Sequence, residues 1–476
     1  MAKMRPWFAS RRTCSTNSLT EPLAAFVPPR PRSRIRLQPL PGAAMTTRRT
    51  FLKSSAVGAA AMAIPSTAPA AGKADTLTIG LVGCGAMGRS HLALLVKNKQ
   101  LKIAYICDVD EKRLADAAKM ATANGHEPKL VNDLRKILDD KAVNAVWMAT
   151  PDHWHAPGAI LAADHGKHIY VEKPCSHNIR EGRLMIEAAK RNKVSIQVGT
   201  QSRSTKTCQE GMDRIKGGAI GEILAVKVWN SQLRRNLGHV KPSEPPAHID
   251  YDTWLGPAPV APFYTNRVHG SWRYFLDYGA GDIGNDGVHD IDVGVWGLGV
   301  ETLPNRVAAL GGKYFFDDDQ EWPDTQYVVC EYDAGNGGKA PRQFIFEQRI
   351  WSPYVQEDYE NGCAFYGTKG MLIIGHEAGW KLYGERNKLV EQMTGKVELA
   401  KHHQNFIDAV LKGDKLAAPA EVGHISAGIC HLANISTRLR KTIEFDPTKE
   451  AITNSPDGNG MLRRKYRDHW SVPKGV

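Results

Sequence analysis

One histidine, His289, sits in "GNDGVHDID" with aspartates three residues before it, directly after it and three residues after it. Unpaired carboxylates are almost never fully buried for stability alone, so the cluster asks for a chemical reason. An imidazole titrates near neutrality and can take a hydroxyl proton while hydride leaves the same carbon. Val288, Ile291, Val295 and Leu298 recur at three- or four-residue spacing, which predicts a helix with one apolar face from Gly287 onwards. His289 and Asp292 share a face of it, making Asp292 a candidate to orient the ring or meet the substrate. Asp286 falls at the helix start, where a carboxylate caps amides, and Asp290 points to solvent. A metal centre needs three or four converging ligands. Only an assumed assembly of His289, Asp292 and the distant "HWH" supplies them, so no metal is assigned.

Hydride chemistry needs a carrier, and "LTIGLVGCGAMGRSHLALLVKN" supplies a place for one. An apolar strand runs into Gly83-x-Gly85-x-x-Gly88 and then into a helical pattern, the context that makes this motif specific. Gly83 permits the turn, Gly85 admits a pyrophosphate beside Ala86 and Met87, and Gly88 lets strand and helix pack closely. A second strand ends at Asp108, twenty residues after Gly88. A carboxylate there accepts from both ribose hydroxyls and repels a 2′-phosphate, favouring NAD over NADP, although Arg113 is near enough in sequence to admit the latter.

Strands and helices continue to alternate through "AVWMAT", "HAPGAILAADHG", "HIYVEKP", "REGRLMIEAAKRN" and "VSIQVGT". That order predicts a doubly wound parallel sheet over residues 75–199, with ligands at the carboxyl ends of the strands. Those ends carry "TPDHWH" (Thr150, Pro151, His155), "EKP" (Glu172, Lys173) and "GTQSR" (Gln201, Arg203). Lys173 at a strand end is partly desolvated, or else forms a surface ion pair with Glu172. After Gly199 the pattern changes to β-rich runs with partial alternation, then the helical "HHQNFIDAVLKG" and "ISAGICHLANISTRLR". This predicts a second, α+β domain over 200–445, with a large, mainly antiparallel open sheet packed on helices on one face, and a tail over 446–476. The aromatic and basic "YTNRVHGSWRYF" offers Tyr264, Arg267, Trp272 and Arg273 as sugar contacts. Trp254 and Trp296 read as core, and His402 and His403 as helix surface.

"TPDHWHAPGAILAADHGKHIYVEKP" behind a G-x-G-x-x-G strand resembles the Gfo/Idh/MocA oxidoreductase family, and "DYDTWLGPAP", "GNDGVHDIDVGVW", "FYGTKGMLII" and "HHQNFIDAV" extend the resemblance through most of the chain. The resemblance implies that Lys173 lies beside nicotinamide and the substrate hydroxyl, that Pro174 follows a cis bond, and that His289 is the acid/base with Asp292 its neighbour. It also implies that His155 lies near the cofactor, though that residue could instead cap its helix. The family pattern D-x-G-x-H-x-x-D is broken at its first position, which is Asn285: an amide orients a hydroxyl but accepts no proton. Acid/base work then falls on His289 with Lys173.

The net charge of +12 suggests a nucleic-acid binder until it is mapped. Residues 1–44 carry a net +7 and residues 45–70 a net +3, leaving +2 for the rest, which excludes a polyanion-binding body. In "TTRRTFLKSSAVGAAAMAIPSTAPAA" the Arg48-Arg49 pair, a short apolar run and Ala68-Pro69-Ala70 form a twin-arginine (Tat) signal over 45–70, too short for a permanent anchor. Met45 just precedes it, so residues 1–44 read as an extension outside the native start. Export of a folded protein needs no disulfides, and the seven widely spaced cysteines after the signal are expected as buried thiols.

These readings converge on an exported, periplasmic NAD(P)-dependent oxidoreductase with a tightly held cofactor, acting on a sugar, cyclitol or glycoside as a homodimer or homotetramer. The alternatives are a glycosidase or epimerase-like enzyme using transient oxidation without net redox, and a sugar- and dinucleotide-binding sensor.

Overall fold

The computed structural model describes residues 76–334, 340–352 and 354–476; the extension over 1–44 and the signal over 45–70 lie outside them. Six parallel strands form the first sheet: β1 (Leu77–Val82), β2 (Leu101–Cys107), β3 (Lys129–Val131), β4 (Ala145–Met148), β5 (His168–Val171) and β6 (Ile196–Val198). Their order, β3-β2-β1-β4-β5-β6, reverses between β1 and β4, and the crevice at that switch point receives ligands in doubly wound sheets. Strand β4 is buried at every position, as a sheet covered on both faces requires.

The second sheet has ten strands: β7 (Ile223–Asn230), β8 (Arg306–Gly312), β9 (Thr325–Tyr332), β10 (Arg342–Arg349), β11 (Asn361–Gly367), β12 (Met371–Gly375), β13 (Gly379–Tyr383), β14 (Leu389–Thr394), β15 (Ile443–Asp446) and β16 (Ala451–Ile452). They run β14-β13-β12-β11-β7-β10-β9-β8-β15-β16, antiparallel except where β7 pairs in parallel with β10. The mainly antiparallel open sheet expected from the alternation is therefore present with one mixed pair. Helices Val288–Leu298 and Ala420–Leu439 cover one face, joining β7, β8, β10 and β11 in one apolar cluster.

Val288, Ile291, Val295 and Leu298 are all buried on that sheet, as their spacing predicts. Gly294 brings the helix unusually close, since a Cβ there would stand 2.8 Å from Phe344 and 2.9 Å from Val228. The position of His289 at the helix start is thus set by direct contact with the sheet. All seven cysteines among the described residues are buried free thiols, as expected.

Helix Leu399–Lys412 departs from expectation. Its Phe406 and Ile407 join the core of the first sheet with Ile79, Trp147 and Tyr170, and His402 and His403 are buried at 0% and 3% exposure rather than lying on the surface.

Candidate active site

Both sheets contribute to one cavity of about 550 Å³. Gly83, Gly85, Ala86, Met87, Asp108, Thr150, Pro151, His155, Glu172, Lys173 and Gln201 line it from the first sheet; Trp272, Arg273, Asn285 and His289 line it from the second half.

The cofactor end is built by glycine. Gly83 has φ of 90°, and a Cβ on Gly88 would collide with the Gly83 carbonyl, so the strand-to-helix turn is as tight as the motif predicts. Helix Ala86–Leu95 starts behind Gly85 without a side-chain cap, leaving its first amides available to an anion. Asp108 accepts from the amides of Cys84 at 2.5 Å and Asp110 at 2.8 Å, which aims its carboxylate along the cavity wall. Burial raises its pKa, opposed by those two amides and by Arg113. The Thr150 hydroxyl is buried with no hydrogen-bond partner among the described residues. An uncapped helix start, an aimed carboxylate and an orphaned hydroxyl fit a dinucleotide.

At the chemical end, Lys173 follows β5 and precedes a cis bond to Pro174. Its Nζ donates to the Asn285 carbonyl at 2.6 Å, so its charge is turned toward the cavity rather than paired with Glu172. Glu172 instead receives His91 Nε2 at 2.9 Å and Gln201 Nε2 at 3.2 Å. Burial favours its neutral form, but the His91 hydrogen bond and nearby positive charges win and hold it at about 2. His155 neither caps its helix nor pairs with an acid: its ring lies between the Pro174 carbonyl (2.7 Å) and the Thr150 carbonyl (2.8 Å), tying two strand-end loops together.

His289 has no hydrogen-bond partner among the described residues, and its one ring neighbour is His376, 5.4 Å away. Burial, then the charges of Lys173 and His376, hold its pKa well below the ordinary imidazole range, with Asp286 pulling weakly the other way. It is therefore a neutral imidazole with nitrogen free for a ligand. Residues Ile283–Gly287 form a π-helical turn feeding the helix, a local irregularity common at functional sites. Asn285 on that turn accepts from Arg273 Nε at 2.7 Å and donates to Asp282 at 3.1 Å. This explains the amide where the family pattern has an acid: an aspartate at 285 would set a second carboxylate against buried Asp282.

Several expected site residues lie elsewhere. Asp292 does not reach the cavity; Arg203 grips it at 2.7 and 3.1 Å and Ser426 donates to it at 2.7 Å, so Arg203 is equally withdrawn from substrate. Helical periodicity put Asp292 on the face of His289, but one turn deeper that face meets helix Ala420–Leu439. Asp286 does line the cavity, but it pairs with Arg234 and makes no side-chain cap among the described residues. Asp290, expected in solvent, is 3% exposed and pairs with His376 at 3.2 Å. The Arg267 guanidinium stacks on Tyr264 at 4.0 Å and on Phe275 at 4.6 Å, outside the cavity.

Among the contributors the sequence reading missed are Asp152, Trp470 and His376. Asp152 lines the cavity with its pKa raised to about 7 by burial, against the charges of Arg273 and Lys173. Trp470 lines it from near the carboxyl end of the chain. His376, just after β12, lines it as a cation: burial opposes the charge, yet Asp290 raises it to about 9. A histidine raised in the folded state stabilises fully below its ordinary value of about 6.5 and loses that contribution as pH rises through about 9. Denaturant unfolding from about pH 7 to about pH 10 is therefore expected to show a loss on the order of 3 kcal/mol that His376→Gln lacks; equal slopes in both proteins would contradict the pairing.

Family models match most of the chain. The oxidoreductase-family model for the NAD-binding Rossmann fold of Gfo/Idh/MocA proteins matches residues 77–200, and the C-terminal alpha/beta domain of the same family matches 227–334 and 358–472. A Tat signal model matches 45–65, and no helix among the described residues is long and apolar enough to cross a membrane. A levoglucosan dehydrogenase of Pseudarthrobacter phenanthrenivorans is 36% identical over 159 residues, 32% of this chain and 40% of that enzyme. A glycosyl hydrolase family 109 protein of Shewanella pealeana is 27% identical over 203 residues, 37% of this chain and 44% of that protein. The chain thus aligns with less than half the length of either relative. A solved levoglucosan dehydrogenase, in complex with NADH and levoglucosan, shares the fold at a TM-score of 0.59 and 20% identity, over 78% of this chain and 99% of the other. With both of its domains matched, the chain belongs to the Gfo/Idh/MocA family of oxidoreductases.

Proposed function

We propose that this protein is an exported NAD-dependent oxidoreductase that moves hydride between nicotinamide and a secondary hydroxyl of a sugar, cyclitol or glycoside. The observation that carries the reading is that Lys173, from the parallel sheet, and His289, from a helix on the second sheet, line the same cavity as the glycine turn. Residues 75–199 hold the cofactor, residues 200–445 supply the substrate side, and the segment 446–476 returns to the cofactor.

When bound, NAD supplies the hydride acceptor. Lys173, aimed by the Asn285 carbonyl, directs its remaining N–H groups at the substrate oxygen and lowers the cost of developing alkoxide charge. His289, neutral, takes the hydroxyl proton. The cations on either side disfavour its imidazolium, so the proton is returned readily. Arg273 and Trp272, whose guanidinium and ring stack on each other at 4.3 Å, line the substrate side of the cavity and offer donors and apolar surface to a sugar. Subunits of a dimer or tetramer meet on the open face of the large sheet, where the paired Leu310 and Tyr327 are exposed.

The Tat match supports passage through the Tat translocase to the periplasm. A dehydrogenase outside the cytosol has no free dinucleotide pool, which favours a tightly bound cofactor. The likeness to a glycosyl hydrolase family 109 protein favours a second reading, transient oxidation without net redox. The glycine turn, Lys173 and His289 all persist, which weighs against a non-catalytic sensor. Turnover of a panel of sugars and glycosides, with and without an external electron acceptor, tests the proposal. Acceptor-dependent conversion is expected from the first reading and acceptor-independent conversion from the second; stoichiometric binding of sugar and cofactor without conversion would overturn both.

A further inference from the structure

Part of the cavity wall comes from chain that belongs to neither sheet. Asp108 marks the ribose end, and its amide bonds to the Val131 carbonyl at 3.2 Å, so Asn132 and Leu134 lie beside it in the cavity wall. The next residue, Arg135, places its guanidinium 4.4 Å from the ring of Trp470. The ring's other neighbours are His469, 4.8 Å away, and Trp154, 5.7 Å away and itself a lining residue fixed by a hydrogen bond to the Trp254 carbonyl at 3.0 Å.

The segment that delivers Trp470 is pinned along its length. Arg464 donates to buried Glu181 at 2.7 Å and to the His153 carbonyl at 2.8 Å. The Tyr466 hydroxyl donates to the same glutamate at 2.9 Å. Arg467 donates to the Gly256 carbonyl at 2.6 Å, and Ser471 beyond the tryptophan is buried. These anchors lie on both halves of the molecule: Glu181 and His153 on helices of the first sheet, Gly256 on a loop of the second half. A side chain held so firmly, with only part of its ring covered by protein, forms a fixed wall of the cavity.

We infer that residues 464–471 are a strap that retains the dinucleotide, with the Trp470 indole packing against its adenosine half. The inference rests on the NAD reading and deepens it, because it names the part of the chain that slows escape of a cofactor that cannot be replaced outside the cytosol. An indole offers a large apolar face at little entropic cost, and losing such a wall weakens binding chiefly through faster dissociation.

The test uses the whole chain, with NAD as the probe. Dissociation of NAD is followed by competition, and the fraction retained through gel filtration is measured for wild type, Trp470→Ala and Trp470→Phe. The alanine protein is expected to release NAD about tenfold faster or more, with the phenylalanine protein close to wild type. Should the alanine protein not fold, hydrogen exchange of residues 465–471 in the wild type decides, with NAD expected to slow it. Unchanged release from Trp470→Ala, or exchange that ignores NAD, overturns the strap while leaving the cofactor reading intact. A wild type that binds no NAD at all overturns both.

Discussion

Lys173→Ala is expected to lower turnover by about three orders of magnitude while leaving NAD binding within about twofold of wild type. The split follows from the geometry. Lys173 projects from the end of β5 onto the Asn285 carbonyl, so its removal takes a positive charge from the cavity where the proposed reaction develops alkoxide charge. The glycine turn, Asp108 and Thr150, the residues proposed to hold the dinucleotide, stand on other strands and do not depend on it. Lys173→Arg is not a rescue, because a planar fork cannot occupy the place of a compact ammonium. Steady-state kinetics and NAD titration of the same preparation check this; loss of NAD binding equal to loss of turnover would make Lys173 a cofactor residue instead.

Asp292→Ala is expected to act on stability, costing about 3 to 5 kcal/mol. Its carboxylate is fully buried between the Arg203 guanidinium and the Ser426 hydroxyl, and the Arg203 side chain is itself only 10% exposed. Removing the acid strands a buried cation at the junction of the 3₁₀ turn Gln201–Ser204 with helices Val288–Leu298 and Ala420–Leu439. Denaturant unfolding reads the effect. A protein of unchanged stability with reduced turnover would restore Asp292 as the orienting partner of His289, the role the sequence pattern suggested.

The two aspartates that follow His289 on its helix, Asp290 and Asp292, show what periodicity can convey. The spacing of Val288, Ile291, Val295 and Leu298 placed the helix and its buried face correctly, because one amphipathic stripe suffices to define them. It could not say what the acids meet. Asp290 finds His376, 86 residues away across β12, and Asp292 finds Arg203, 89 residues back, and neither pairing leaves a local trace. The cofactor crevice was legible because its parts, the glycine turn, Asp108 and the strand-end tripeptide at Glu172, are local motifs repeated at the ends of parallel strands.

His402 and His403 did leave a signal that was misread. They stand one turn before Phe406 and Ile407, on the same helical face, so burial of that stripe carries the imidazoles inside; there His403 meets His91 at 2.8 Å, behind Glu172. Trp470 left none. A tryptophan in a segment without periodicity acquires meaning only when the chain folds back onto the cavity wall.

On the proposed function, a dinucleotide held in this cavity exchanges hydride with a sugar hydroxyl. The most direct test is to purify the mature protein, pre-mix portions with a panel of sugars and glycosides, denature each, and identify the released dinucleotide and its redox state by mass spectrometry. Near-stoichiometric NAD, reduced only by certain sugars, is the expected result. Protein that carries no dinucleotide, and takes none up when it is supplied with the sugars, would contradict the account.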